Sequence, residues 1–260
     1  MDLTNATAIP EPDAAERLVG ADRVLAILAE LARHADGIGL EEMARAVASH
    51  KTTVHRALAA LRRAGFAAQD GRGRYVLGDE YLRLAFAHHE ARPDHVRISP
   101  VLHALAERYG ETAHYAVLDG GSVVYRSKVD PPRGAIRLTS TIGGRNPAHC
   151  TAVGKLLLAY ALPDDAAVER WAAGRSLERR TEKTLATAPA LAEELRLIRR
   201  RGWAGDDQEN EAGVNCLAVP AFLLSPSVPA GAVSVSAPAY RTPLARLIDD
   251  VDTIRTVVAG

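Results

Sequence analysis

The chain has 260 residues, 47% apolar and 25% charged, and its 32 basic side chains balance 32 acidic ones. That length allows one large domain or two modest ones, and zero net charge excludes a protein that coats nucleic acid or membrane indiscriminately. No run approaches the roughly 18 apolar residues of a membrane span, so no membrane partner is expected, and two cysteines, Cys150 and Cys216, suit a reducing cytoplasm rather than a disulfide framework.

Residues 1–17 hold several acids and two prolines without an apolar h-region, and are expected to form a disordered leader rather than a secretory signal. Ala21 to His34 places Val24, Leu28 and Leu31 at helical spacing, with Gly37-Ile38-Gly39 as the stop. Leu40, Met43, Ala44 and Val47 form a second short stripe. Val54, Ala57, Leu58 and Leu61 form a third, closed by Gly65. Phe66 to Gln69 and Arg74 to Leu77 read as strands around the turn Asp70-Gly71-Arg72-Gly73. Three helices and a basic, glycine-rich hairpin predict a winged helix-turn-helix over residues 18–78.

The charge pattern singles out the third helix. From Met43 to Gln69 there is no carboxylate, while Arg45, Lys51, Arg56, Arg62 and Arg63 stand inside that window with His50 and His55. A face cleared of acids is compatible with a polyanion, and a helix fits the major groove of DNA. Its candidate DNA contacts are Lys51, Thr52, Thr53, His55, Arg56 and Arg62, with Arg72 and Arg74 on the wing. A lone basic run is more often a solvated helix face; helix spacing, the Gly65 stop and the basic wing favour double-stranded DNA as partner. One such module neutralises few phosphates, so a dimer on an inverted repeat is expected.

Asp79 to Arg92 reads as a linker helix, within a linker of residues 79–95, whose apolar residues Tyr81, Leu82, Leu84 and Phe86 wrap more than one face. Such a helix packs on its own domain and on something else, here a second subunit. Pro93 is its stop. Residues 96–260 then alternate in α+β style. Helices are expected at Val96–Tyr109, Ala152–Tyr160, Pro163–Ala173 and Pro189–Arg201, and a closing one from Thr242 to about Val258. Strands are expected at Thr112–Leu118, Ser122–Val129, Ile136–Thr139, Trp203–Asp206, Asn215–Ala221 and Gly231–Ala237, in a mixed or antiparallel sheet.

Three segments together resemble an IclR-type transcriptional regulator, from about Leu18 onward. They are Lys51-Thr52-Thr53-Val54-His55-Arg56-Ala57-Leu58 with Gly65-Phe66 and Gly73-Arg74-Tyr75-Val76-Leu77-Gly78; Pro147 to Ala159, containing His149-Cys150-Thr151-Ala152-Val153-Gly154-Lys155; and Asp206 to Pro220, containing Glu209-Asn210-Glu211 and Asn215-Cys216. The resemblance implies a winged DNA-binding domain, a linker helix and a GAF-like domain that binds a small effector, often an organic acid. It also implies a dimer or tetramer that represses or activates catabolic genes. The effector site it implies falls on the backbone of Ala152 and Val153, on Asp206 and Cys216, and on Ser234 and Ser236.

Physical chemistry leaves choices at that site. If Thr151 caps the helix after it, the free N–H groups of Ala152, Val153 and Gly154 form an anion site; Asn146-Pro147 is a competing start. Asp206 would accept a ligand hydroxyl, stay protonated or point to water. Cys216 in an apolar strand is more often a small core residue, and Ser234 and Ser236, two apart on a strand, share one face. An alternative reading is a thiol-dependent hydrolase at Cys216, but no histidine lies near it in sequence. No metal-ligand spacing, cofactor motif or phosphate-binding loop is present.

Overall fold

The computed structural model describes residues 20–90, 93–131 and 138–260; the expected leader lies outside them. The chain forms two compact units that part between Arg92 and Pro93.

In the first unit α1 (Gly20–Leu31), α2 (Leu40–Ala46) and α3 (Lys51–Arg63) enclose a core of Ile27, Leu31, Met43, Val54, Leu58 and Leu61. All but Ile27 belong to the three apolar stripes; in α1 the core takes Ile27 with Leu31, while Val24 and Leu28 pack against it partly buried. Gly65 ends α3 in the left-handed region at φ 77°, and the Phe66 N–H returns to the Leu61 carbonyl at 2.9 Å. The chain then enters an antiparallel hairpin, β1 (Ala67–Gln69) and β2 (Tyr75–Leu77), in register Ala67↔Leu77. Asp70 builds its turn by accepting the N–H groups of Arg72 and Arg74 on Oδ1 at 2.9 and 2.7 Å. The linker helix α4 (Asp79–Glu90) follows. Tyr81, Leu82, Leu84 and Phe86 on it are all exposed, so the expected packing on its own domain is not seen: α4 has apolar residues on several faces and buries none of them.

The second unit is one six-stranded, fully antiparallel sheet in the order β5-β4-β3-β8-β7-β6. Its strands are β3 (Thr112–Asp119), β4 (Ser122–Val129), β5 (Arg145–Pro147), β6 (Ala204–Asp207), β7 (Val214–Ala221) and β8 (Gly231–Pro238). Alternation along each strand divides the side chains between two cores. One face, with Tyr115, Leu217, Val219, Val233 and Val235, packs on α5 (Pro93–Tyr109), α9 (Leu244–Asp249) and α10 (Val251–Ala259). The other, with Ala116, Tyr125, Ala204, Ala218 and Ala232, packs on α6 (Ala152–Ala161), α7 (Asp165–Ala172) and α8 (Ala188–Arg201).

Three expectations are corrected and one open choice is resolved. Pro93 opens α5 instead of only ending the helix before it, because a proline lacks only the N–H that a first turn leaves unpaired anyway. Leu138 and Thr139 are not in a strand, and the rest of that expected strand lies outside the described residues; the strand at this edge is β5. Asn146-Pro147 belongs to β5, and α6 is capped by Thr151, whose Oγ1 accepts the Gly154 N–H at 3.1 Å. The closing helix breaks at Asp250 into α9 and α10. Adjacent Asp249 and Asp250 are unfavourable at a helix C-terminus and favourable at the start of the next.

Candidate functional site

In the first unit the buried stripe of α3 (Val54, Ala57, Leu58, Leu61) fixes which side faces out. At about 100° per residue, Thr52, Arg56, Ala59 and Arg63 lie opposite it, flanked by His55. Lys51, Thr52, His55, Arg56 and Arg62 are exposed and Thr53 is half-buried. Their engagements differ. Lys51 Nζ is 2.8 Å from Glu41 Oε1, and Arg62 Nη1 donates to Gln69 Oε1 at 3.0 Å. Arg56 has no hydrogen bond or ion pair among the described residues. On the wing Arg72 is exposed, whereas Arg74 turns inward and donates from Nε to the Gly37 carbonyl at 3.0 Å. Arg74 is thus a brace between the hairpin and the turn after α1, a role its place on the wing did not reveal. Arg63 joins the outward face although its sequence position beside Arg62 gave no reason to choose it.

In the second unit a cavity of about 170 Å³ opens on the α6 side of the sheet. Register brings Asp206, Cys216 and Ser236 into one row across β6, β7 and β8. Cys216 and Ser236 line the cavity; Ala152, Val153, Asp206 and Ser234 do not. Ala152 and Val153 are packed in the core at the head of α6. The Gly154 N–H, expected to be free for an anion, is taken by Thr151. Ser234 is buried one register step along, opposite His114. Asp206 is buried with Oδ1 accepting the Glu209 N–H at 2.6 Å, and burial raises its carboxyl to about 7 despite the Lys155 charge nearby. Of the three fates open to Asp206 in the sequence, it is the protonated one that burial favours below neutral pH.

The cavity also uses residues that sequence reasoning did not select. His114 and Tyr125 form its floor, with ring centroids 5.0 Å apart. His114 Nε2 is 2.7 Å from Ser140 Oγ, and its Nδ1 is 3.4 Å from Ser236 Oγ. Asn146 Nδ2 donates to the Tyr125 hydroxyl at 3.3 Å. Arg180 and Asn210 stand at the mouth, joined by a 3.0 Å bond from Arg180 Nε to the Asn210 carbonyl. Polar residues at inward strand positions were the available signal for His114; Arg180 lies in an irregular segment that carries none. Behind the cavity Lys155 is buried and ion-paired with Glu209, with Glu194 3.8 Å away.

Two family models match this architecture: the IclR helix-turn-helix domain over residues 20–71, and the C-terminal part of the bacterial transcriptional regulator IclR over residues 95–257. The chain belongs to the IclR family of transcriptional regulators. Among its relatives, the HTH-type transcriptional regulator KdgR of Escherichia coli is 33% identical over 98% of this chain and 94% of its own. BhcR of Paracoccus denitrificans is 36% identical over 87% and 80%. The IclR structure of Thermotoga maritima shares the fold with a TM-score of 0.77 at 24% identity, over 91% of this chain and 94% of its own. An IclR homologue from Microbacterium hydrocarbonoxydans complexed with 4-hydroxybenzoate shares it with a TM-score of 0.72 at 22% identity, over 91% and 99%.

Membership in the IclR family makes this chain a regulator and not an enzyme, and the thiol chemistry agrees. Burial and the neighbouring Asp206 push the Cys216 thiol up, and burial raises that of Cys150 to about 12. Neither is a thiolate near neutral pH, so neither is a ready nucleophile. Among the described residues no group of three or more His, Cys, Asp or Glu side chains could hold a metal ion, and no helix is long and apolar enough to cross a membrane.

Proposed function

We propose that this IclR-family regulator reads an inverted-repeat operator with α3, as a homo-oligomer, and that a small carboxylate metabolite bound in the second unit sets its affinity for DNA. Residues 18–78 serve as the DNA-binding domain, 79–95 as the linker and 96–260 as the effector domain of a cytoplasmic protein. The observation that carries the DNA reading is the outward face of α3, free of acids and centred on Thr52 and Arg56. Arg56 contacts a guanine edge or a phosphate; Thr52, Thr53 and His55 flank it, and Lys51, Arg62 and Arg72 grip the backbone. Arg74, occupied by Gly37, supports the wing. The effector reading is supported by a polar cavity containing Cys216 and Ser236, and by analogy with the homologue that holds 4-hydroxybenzoate.

The test is a mobility-shift titration on the operator upstream of the genes this protein controls. Arg56→Ala is expected to weaken specific binding by about tenfold or more, as for loss of one base or phosphate contact, with the circular dichroism spectrum unchanged. Unaltered affinity would remove α3 from the interface.

A further inference from the structure

The fold returns one acid to the edge of the acid-free window. Three carboxylates stand closest to that window in sequence: Glu41, Glu42 and Asp70. Asp70 is used by the wing, where its Oδ1 holds two N–H groups of the turn. Glu42 is exposed and makes no ion pair among the described residues; in the first turn of α2 it offsets the unpaired N–H groups there. Glu41 shares that turn, but its side chain is directed elsewhere. It crosses to α3 and sets Oε1 2.8 Å from the Nζ of Lys51, with Arg45 one turn further along α2. The Lys51 ammonium holds the Glu41 carboxyl below the usual carboxylate range, so it stays ionised near neutral pH. The backbones at both ends of this pair are fixed, because Met43 and Ala44 on α2 and Val54 on α3 are buried in one core. The Ser49 N–H closes the turn between the helices on the Ala44 carbonyl at 3.0 Å. The two charged side chains themselves are more than half exposed.

The pair stands where a DNA phosphate would. When a helix-turn-helix docks, its first helix crosses the DNA backbone while the second enters the groove, and this pair joins the start of α2 to the start of α3. Lys51 therefore has two anions to choose between. An exposed ion pair is worth little, so a phosphate brought into contact with Lys51 can replace Glu41. A phosphate that stays farther off cannot. Its attraction falls with distance and is screened over about 10 Å at 0.1 M salt, whereas Glu41 is already at contact. A seated complex on the operator brings a phosphate to Lys51. A loose complex on other sequences, held by charge alone, leaves Lys51 with Glu41 and meets a pair of zero net charge.

We propose that Glu41 is a specificity-determining residue: it competes with phosphate for Lys51, so that Lys51 adds to binding on the operator and not on other DNA. This rests on the reading of α3 as the helix that enters the groove. The test is an anisotropy titration of the full-length protein at several salt concentrations. Its two probes are labelled poly(dI-dC) and an operator duplex selected by the parent protein from a randomised pool. On poly(dI-dC), Glu41→Gln is expected to bind up to about fivefold more tightly for each α3 engaged, the worth of an exposed ion pair. Log affinity is expected to fall more steeply with log salt, by about 0.9 for each α3. On the operator both quantities are expected to change by less, so discrimination narrows. Lys51→Gln is expected to abolish the gain from Glu41→Gln. Glu42→Gln, which removes the same charge without touching Lys51, is expected to give less of it. Equal gains on both DNAs, an equal gain from Glu42→Gln, a gain that survives Lys51→Gln, or no gain at all would each overturn the proposal. The reading of α3 fails separately, if Arg56→Ala leaves operator affinity unaltered.

Discussion

Asp206 is a residue whose chemistry in the fold departs far from that of a free carboxyl. In an unfolded chain its carboxyl ionises near pH 4, whereas in the fold it holds its proton to about 7. Between those values the folded state binds more protons than the unfolded one, so stability falls as pH rises. Asp206→Asn keeps an oxygen for the Glu209 N–H and removes the titration. It is expected to match the parent near pH 4 and to exceed it by about 2–4 kcal/mol at pH 8, read from urea midpoints at several pH values; a pH-independent difference would contradict the assignment. At this scale the sequence was informative where the backbone repeats. Cys216 and Ser236 lie in strands long enough to fix the facing of each side chain, and both reach the cavity. Arg180 and Asn210 lie in irregular segments, and their approach to Cys216 is a product of tertiary folding alone.

At the level of elements, local signals sufficed wherever one helix or hairpin carries its own start and stop. The stripes of α1 to α3 and the Gly65 terminus are of that kind. Edge strand β5 is not: it has three residues and, among the described residues, pairs only with β4, so nothing in its own sequence distinguishes it from a helix start at Asn146-Pro147. The turn between α2 and α3 hides another feature. Ala48 sits at φ 46°, a left-handed conformation that is unfavourable for any residue with a Cβ. Ala48→Gly is expected to raise stability by about 0.5–1 kcal/mol in thermal or denaturant unfolding, without weakening operator binding. Gly154 shows the opposite requirement. A Cβ there would lie 2.3 Å from the Ala148 carbonyl oxygen and 2.6 Å from Thr151 Oγ1. Gly154→Ala is expected to cost about 2–4 kcal/mol through overpacking and loss of the α6 cap. A drop below about 1 kcal/mol would mean that the turn before α6 yields easily.

For the whole molecule, the unexplained surface is α4, whose Tyr81, Leu82, Leu84 and Phe86 are each at least 44% exposed. A helix that displays so much apolar surface needs a partner, and a second copy satisfies both this need and the twofold symmetry of an inverted repeat. Leu82→Glu with Phe86→Glu is expected to shift the sedimentation equilibrium toward monomer. It should also make the decline of operator affinity with salt less steep, since fewer phosphates are held at once. A variant that stays dimeric would move the interface off α4. The sequence placed this apolar helix correctly; what it could not show is that Tyr81, Leu82, Leu84 and Phe86 would all stay exposed among the described residues of their own unit.

The six-stranded sheet is packed on both faces, and its two cores use alternate residues of the same strands. The cavity takes side chains from one face and from the connection between Leu138 and Asn146. The other face, on α5, α9 and α10, contributes nothing to it. Mutational drift in this protein therefore has two separate ledgers. If the cavity is the effector site proposed above, substitutions at Thr139, Ser140, Thr141 or Arg180 would change what is recognised while the hydrophobic layer beneath keeps the strands in register. On that reading, a gene duplicate would acquire a new effector in a few steps without first becoming unstable.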